Sequence, residues 1–371
     1  MKKSLIALAA LAVVSAASAQ SSVTVYGVAD VGFKTQTYKD GGVTTAKATG
    51  VADGAMAGQR FGFKGTEDLG GGLKANFVIE QGLSMTSQGL TNARTSTSAP
   101  QVDGATTTGR SATSINRQSY VGLSSDKMGE IRLGYQYTNV YEVSTLSGFN
   151  TGAEGVNGAD AAHTYGNAAV GGTRANAVTY ITPTISGFSA QLQYGAATSL
   201  STFESTVTSD TQVHATRTSG MLSYANGPMK AKVAYTNYKN GTAAGGSAIV
   251  DKTGTLTQVG ASYDLGPVIV SGTYNNGEDG ALGGLNKTFK AQQFGVKVPY
   301  GAWAFLATMG TAKTTSVTAG ISEDIKQSQL AVQYSLSKRT TLYAYNGTTK
   351  DSAVGGIDKK ISTVAGINHT F

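Results

Sequence analysis

The feature that most constrains this chain is a repeated segment of about ten residues in which apolar and polar side chains alternate. In Val23–Lys34 (VTVYGVADVGFK), Val23, Val25, Gly27, Ala29, Val31 and Phe33 share one face, and Thr24, Tyr26, Val28, Asp30, Gly32 and Lys34 share the other. Leu73, Ala75, Phe77 and Ile79 likewise oppose Lys74, Asn76 and Glu80. Ile131, Leu133, Tyr135 and Tyr137 oppose Arg132, Gly134 and Gln136. Successive side chains of a strand point to opposite sides, so each segment has one apolar face and one mixed polar face. A half-buried sheet in a soluble sandwich shows the same pattern. The alternative is a barrel whose outer face meets lipid.

The start of the chain favours the barrel. Lys2 and Lys3, the apolar run Leu5–Val14 and Ala17-Ser18-Ala19 form the three parts of a secretory signal peptide. The apolar run is too short for a spanning helix, which needs about 20 residues. Cleavage is expected before Gln20, separating a signal peptide, 1–19, from a single barrel domain, 20–371. The remaining sequence holds no long apolar run, and charged residues make up only 14 % of the chain, against roughly 25 % in soluble domains. Low charge, an export signal and no spanning helix together point to a β-barrel in a membrane.

Punctuation supplies a strand count. Four prolines, Pro183, Pro228, Pro267 and Pro299, sit at short junctions, where a missing N–H costs no ladder bond. Three more short junctions are Thr66–Gly71, Ser125–Gly129 and Ser337–Arg339. Longer polar connections fall around 37–57, 83–112, 140–173, 198–213, 241–253, 276–286, 314–322 and 350–357. Short turns on one side and long loops on the other predict an all-β, transmembrane antiparallel β-barrel of about 16 strands. A barrel that wide keeps an aqueous lumen. The last segment, Ile361–Phe371, alternates and ends on an aromatic, and must pair with Val23–Phe33 because an open edge in lipid leaves backbone groups unsatisfied.

Several chemistries have no support in the sequence. There is no cysteine and there are only three histidines, His163, His214 and His369, so neither thiol nor zinc chemistry nor any other cofactor is expected. No GxSxG or Walker lysine occurs, and GTEDLGGGLK lacks the required GK[ST] ending. NNGEDG at 275–280 lacks calcium-loop spacing. The basic residues are spread among strands without a block, so nucleic acid is not an expected partner. A barrel enzyme would need a nucleophile–histidine or carboxylate constellation, and an adhesin or receptor barrel would place its function in the outer loops.

SSVTVYGVADVGF, RFGFKGTEDLGGGLKANFVIE at 60–80, NRQSYVGLSSDKMGEIRLGYQY at 116–137 and the final INHTF resemble the general porins of β-proteobacterial outer membranes. The resemblance implies a homotrimer of sixteen-stranded barrels in the cell outer membrane, in contact with lipid and lipopolysaccharide. Each barrel would pass small hydrophilic solutes and ions, and its third outer loop would fold into the lumen. Here that loop is 140–173. The resemblance also implies a constriction of wall arginines facing loop acids. Arg60 and Arg117 match the wall positions by motif, and Arg174 falls close to a third. Tyr135, in LGYQY, stands where the family usually has arginine, and Arg132 is the candidate substitute. By alternation Arg117 goes with Ser119 and Val121, and Arg60, Arg117 and Arg132 are expected on the lumen parity. The loop acids are Glu142, Glu154 and Asp160. Guanidinium groups stay charged at any working pH, so such a wall implies a weak preference for anions.

Overall fold

The computed structural model describes residues 22–53, 56–86, 89–90, 117–146, 174–196, 213–242, 250–279, 287–316, 322–352 and 358–371. The strands are β1 (Ser22–Asp40), β2 (Val43–Asp53), β3 (Arg60–Gly70), β4 (Leu73–Ser84), β5 (Gly89–Leu90), β6 (Gln118–Ser125), β7 (Gly129–Tyr137), β8 (Arg174–Ile181) and β9 (Phe188–Ala196). They continue with β10 (Val213–Asn226), β11 (Met229–Thr242), β12 (Val250–Asp264), β13 (Ile269–Asp279), β14 (Lys287–Tyr300), β15 (Trp303–Ser316), β16 (Ser322–Ser335), β17 (Thr340–Asp351) and β18 (Lys359–Thr370). A short helix, α1 (Asn139–Ser144), follows β7.

Every neighbouring pair is antiparallel, and β18 returns to β1, with His369 opposite Ala29 and Ala365 opposite Phe33. The wall is therefore closed. Two of the strand segments do not add to its circumference. β5 is a two-residue extension of the β4 end. β2 and β3 are the upper and lower halves of one wall strand, because β1 pairs with β2 from Val31 upward and with β3 from Val28 downward. The result is a sixteen-strand antiparallel barrel. At about 4.8 Å between strands and a tilt of about 40°, the backbone cylinder is about 32 Å across. Side chains cannot fill that width.

Exposure separates the two faces. Val23, Val25 and Phe33 on β1 are outward and exposed, while Asp30 on the opposite parity is fully buried. Phe294, Met309 and Leu330 face outward in the same way, and Gln293, Thr308 and Gln329 are inward and covered. An apolar exterior around a polar interior is the inverse of a water-soluble domain. Lipid is the solvent that this exterior satisfies.

The first long connection differs from expectation. The stretch 37–57 was read as a loop, but β1 continues to Asp40, turns through Gly41 and Gly42, and returns as β2. Both turn glycines have positive φ, 55° and 83°, as a two-residue hairpin of this hand requires. Its strands are rich in Thr, Lys and Gln and extend beyond the apolar band, so they lack the apolar alternation that marks the spanning segments. Below them the chain turns inward. Asp30 accepts hydrogen bonds from the Met56 and Ala57 amides (3.0 and 2.5 Å), the Tyr343 hydroxyl (2.6 Å) and Asn368 Nδ2 (3.1 Å). One buried carboxylate thus ties the inward turn to β1, β17 and β18 at the closing seam, and its donors offset the cost of burying the charge. At the lower end of that seam Phe371 exchanges two backbone hydrogen bonds with Gly27 (3.1 and 3.2 Å). A Cβ at Gly27 would run into the Phe371 ring, so glycine is what lets the aromatic lie on the strand.

Candidate pore-lining site

The inward residues of β3, β4, β6 and β7 bring charge together. Arg60 stands opposite Val28 and Gly82 and shares its inward face with Gly62. Glu80, on β4, is buried and accepts from the Tyr26 hydroxyl at 3.1 Å. Arg117 donates from Nε to Glu80 at 2.6 Å and from Nη2 to the Tyr137 hydroxyl at 2.7 Å. Arg174 also donates to that hydroxyl, at 3.3 Å, and stacks over the Tyr137 ring at 4.8 Å. Tyr137 in turn stacks on Tyr141 of α1, with ring centroids 4.0 Å apart. Arg60, Arg117 and Arg174 are therefore gathered around two tyrosines and one carboxylate. Arg132 is held apart, chelated by Glu130 at 2.8 and 2.7 Å and lying over Tyr120.

The alternation argument for Arg117 needs correction. Val121 and Leu123 are exposed on the outer face, so the parity that joins them to Arg117 points outward. Arg117 precedes the first residue of β6 in a bend, and its side chain is drawn in by Glu80. Tyr137 departs from alternation for a related reason. Ile131 and Leu133 are outward, but at Gly134 the backbone takes φ 134°, and beyond it Tyr137 meets the inward cluster. A Cβ at Gly134 would collide with the Ser119 carbonyl, so only glycine fits.

Further along the same side of the barrel, α1 is seated on β10, β11 and β12. Thr138 caps it, its hydroxyl accepting from the Tyr141 amide at 3.4 Å. Val140 is buried against Leu256 and Phe289, and Val143 against Met221 and Ala234. Asn139 donates to Ser219 at 2.9 Å and accepts from Gln191 at 2.6 Å. All these wall residues lie on the parity opposite the exposed Leu222, Val233, Tyr235 and Val259, so the helix packs on the inner face. Glu142 is within electrostatic reach of Arg132 but makes no ion pair with an arginine among the described residues. Its carboxylate lies 3.0 Å from Lys232 Nζ on β11, which also donates to the Glu142 carbonyl at 2.8 Å. Glu154 and Asp160 lie outside the described residues, as does 147–173.

Two basic residues were not singled out by sequence. Lys232 alternates with the outward Val233, and Arg217 shares the inward parity of Ser219, so inward parity was readable, but their partners were not. Arg217 is buried on β10, within electrostatic reach of Tyr135 and Tyr238. The Tyr141 hydroxyl is pushed up to about 12. Burial and the adjacent Tyr137 raise it, against Arg117 and Arg60, which lower it.

An apolar-coated closed barrel with a wide polar interior and a charged, tyrosine-lined inner wall defines a membrane channel of the outer-membrane type. The sequence model of the Gram-negative porin family matches residues 7–353, and the chain belongs to that family. An outer membrane porin protein of Bordetella pertussis is 29 % identical across the full length of both chains. Outer membrane porin protein 32 of Delftia acidovorans is 32 % identical over 97 % of this chain and 93 % of its own. Among solved structures, an anion-selective porin from Comamonas acidovorans superposes with a TM-score of 0.70 at 24 % identity, covering 95 % of this chain and all of that one. The protein is an outer-membrane porin.

Proposed function

We propose that this porin passes small hydrophilic solutes and ions by diffusion, performs no catalysis, and weakly favours anions at a constriction between the wall residues Arg60, Arg117 and Arg174 and the 140–173 connection. The observation that carries this reading is the seat of α1. The chain leaves β7 and packs inside the barrel against strands β10–β12, so the connection begins its course in the lumen. Among the described residues no ion pair involves Arg60, and Arg117 and Arg174 share one phenol, leaving net positive charge beside the opening. A field from fixed guanidinium groups in a low-dielectric wall raises the local concentration of anions.

The functional unit on this reading is a homotrimer. The outer faces of β1, β3, β4, β6 and β7 form a concavity of ≈ 460 Å³ lined by Val23, Gly65, Ala75, Phe77, Val121 and Leu133, the kind of surface that takes a neighbouring subunit. The connection 83–112 is the candidate for reaching across to it. The remaining apolar surface meets lipid, and the outer rim meets lipopolysaccharide. The signal peptide is removed before Gln20.

Reversal potential across a planar bilayer under a salt gradient tests the proposal. It should lie on the anion side, and move toward cations in Arg60→Ala/Arg117→Ala. A cation-weighted wild type, or a double variant with unaltered selectivity, would overturn the charge model. The bias should also shrink as salt shortens the Debye length from about 10 Å at 0.1 M to about 3 Å at 1 M.

A further inference from the structure

The bend between β2 and β3 puts a second piece of chain inside the barrel. Met56 packs against the cluster of Leu306, Ala331, Tyr343, Tyr345 and Val364. These side chains lie on the parity opposite the exposed Phe305, Leu330, Leu342 and Ile367, so Met56 sits on the inner face of β15 to β18. Two residues on, Gly58 lies against Arg117, and a Cβ there would stand 3.1 Å from Nη1. Residues two apart are separated by at most about 7 Å. The bend therefore runs directly from the tyrosine-lined seam to the arginine cluster.

It is held from both sides. Met56 and Ala57 donate their amides to Asp30, at 3.0 and 2.5 Å. Gln59 is buried, and its Nε2 donates to the Asp30 carbonyl at 2.5 Å and to Asp53 Oδ1 at 2.8 Å. The Gln59 carbonyl accepts from the Leu83 amide of β4 at 3.1 Å. Asp53 also accepts from the Met85 and Thr86 amides, both at 3.1 Å. Two carboxylates with charge-assisted bonds thus fix the bend as a ledge.

Arg117 turns one open edge toward this ledge. Its Nε is taken by Glu80 and its Nη2 by the Tyr137 hydroxyl, and the side chain is only 14 % exposed. Nη1 has no partner among the described residues and retains accessible surface. The space it faces is the space that a side chain at position 58 would fill. Gly58 has no positive φ, so its backbone does not call for glycine. The room beside Nη1 does.

We propose that the bend 56–59 is a second, fixed border of the opening, and that Gly58 is a specificity-determining position within it. Its missing side chain leaves Arg117 Nη1 open to passing anions. The proposal rests on the pore reading above. A methyl group at 58 changes no charge, but it holds an anion farther from Nη1 and blocks the charge-assisted hydrogen bond that Nη1 could donate.

Reversal potential and single-channel conductance in planar bilayers, at about 0.1 M salt where the Debye length is about 10 Å, test it. Gly58→Ala should lower the anion-over-cation permeability ratio about twofold. The same substitution made in an Arg117→Ala background should add no further shift. Gly50→Ala, on β2 where a Cβ meets nothing within 4 Å, should behave as the wild type does. A Gly58→Ala variant that loses resistance to denaturant but keeps the wild-type ratio would make Gly58 merely structural and overturn its assignment. A Gly58→Ala shift that persists without Arg117 would overturn it equally. Should Gly58→Ala fail to fold, Met56→Ala removes the ledge's contact with Tyr343 and Tyr345 and should raise conductance by about a quarter. Unchanged conductance in Met56→Ala would overturn the second border. A wild type that forms no channels would overturn both readings, whereas a conducting, anion-weighted wild type with Gly58→Ala unmoved would overturn this one alone.

Discussion

Two neighbouring stretches of the wall, joined where β9 pairs with β10, are built differently. On one, β6 to β9 are only 8 or 9 residues long and carry Arg132, Arg174, Glu130, Tyr120 and Tyr137, with Arg117 at the entry to β6 and Arg60 and Glu80 on the adjoining β3 and β4. On the other, β10 to β12 run 14 or 15 residues and present Ser219, Met221, Ala234, Thr236 and Leu256, small or apolar groups on which α1 rests. A short strand of 9–11 residues just crosses the membrane, so the low wall gains little from its own height and concentrates charge in a network. The tall wall holds a helix by packing. The difference teaches that adjoining stretches of one wall divide their roles. One concentrates charge, and its neighbour supplies a seat for the helix that follows β7.

Breaking the seat should have the largest effect. Val140→Asp puts a carboxylate into a site with no exposed surface, at a cost of about 3 kcal/mol or more if the helix stays in place. The expected outcome is a helix lifted from β10–β12, read as single-channel traces that lose their single open level. Unchanged traces would mean that α1 plays no part in shaping the opening.

Breaking the field comes next. Arg117→Ala removes a cation and leaves Glu80, whose side chain is 5 % exposed, without its ion-pair partner. Loss of one partner of a buried pair costs about 3–5 kcal/mol, so the variant should be less stable to denaturant and its reversal potential shifted toward cations. Arg132→Gln should shift selectivity less, because Arg132 sits with Glu130 away from the Tyr141 cluster. An equal shift from both would mean that the field is diffuse rather than local.

Smaller effects sharpen the comparison. Lys232→Met and Glu142→Gln remove the two ends of a partly exposed pair, and a double-mutant cycle on unfolding should find a coupling of about 0.5–1 kcal/mol. A value near zero would leave the seat to Val140, Val143 and Asn139 alone. Tyr141, pushed up to about 12 by burial and by Tyr137, stays neutral across the working range, as the arginines stay charged. Reversal potential should therefore be flat from about pH 7 to 9. A titration midpoint inside that interval would assign selectivity to a group other than these.

Much of the barrel was legible because its solvent is lipid on one side and water on the other, which writes a period of two into every spanning strand. The pattern failed where that asymmetry ends. The β1–β2 hairpin above the band is polar on both faces and read as a loop. Arg117 and Tyr137 lie at strand ends, where a bend and Gly134 override parity. The motif positions of Arg60 and Arg117 were readable, but their partners were not. Glu80 is 37 residues from Arg117, and Lys232 is 90 from Glu142. Helix α1 spans six residues, too few to show a helical period, and its cap is a single threonine.

The central claim is that the connection after β7 stays inside and narrows the pore. Single-channel conductance of a variant lacking Gly152–Gly158, compared with the wild type in the same salt, tests it most directly. The account predicts a folded barrel whose conductance rises by about half or more, because the narrowest cross-section has been widened. A folded variant with wild-type conductance would place that segment outside the lumen and contradict the account.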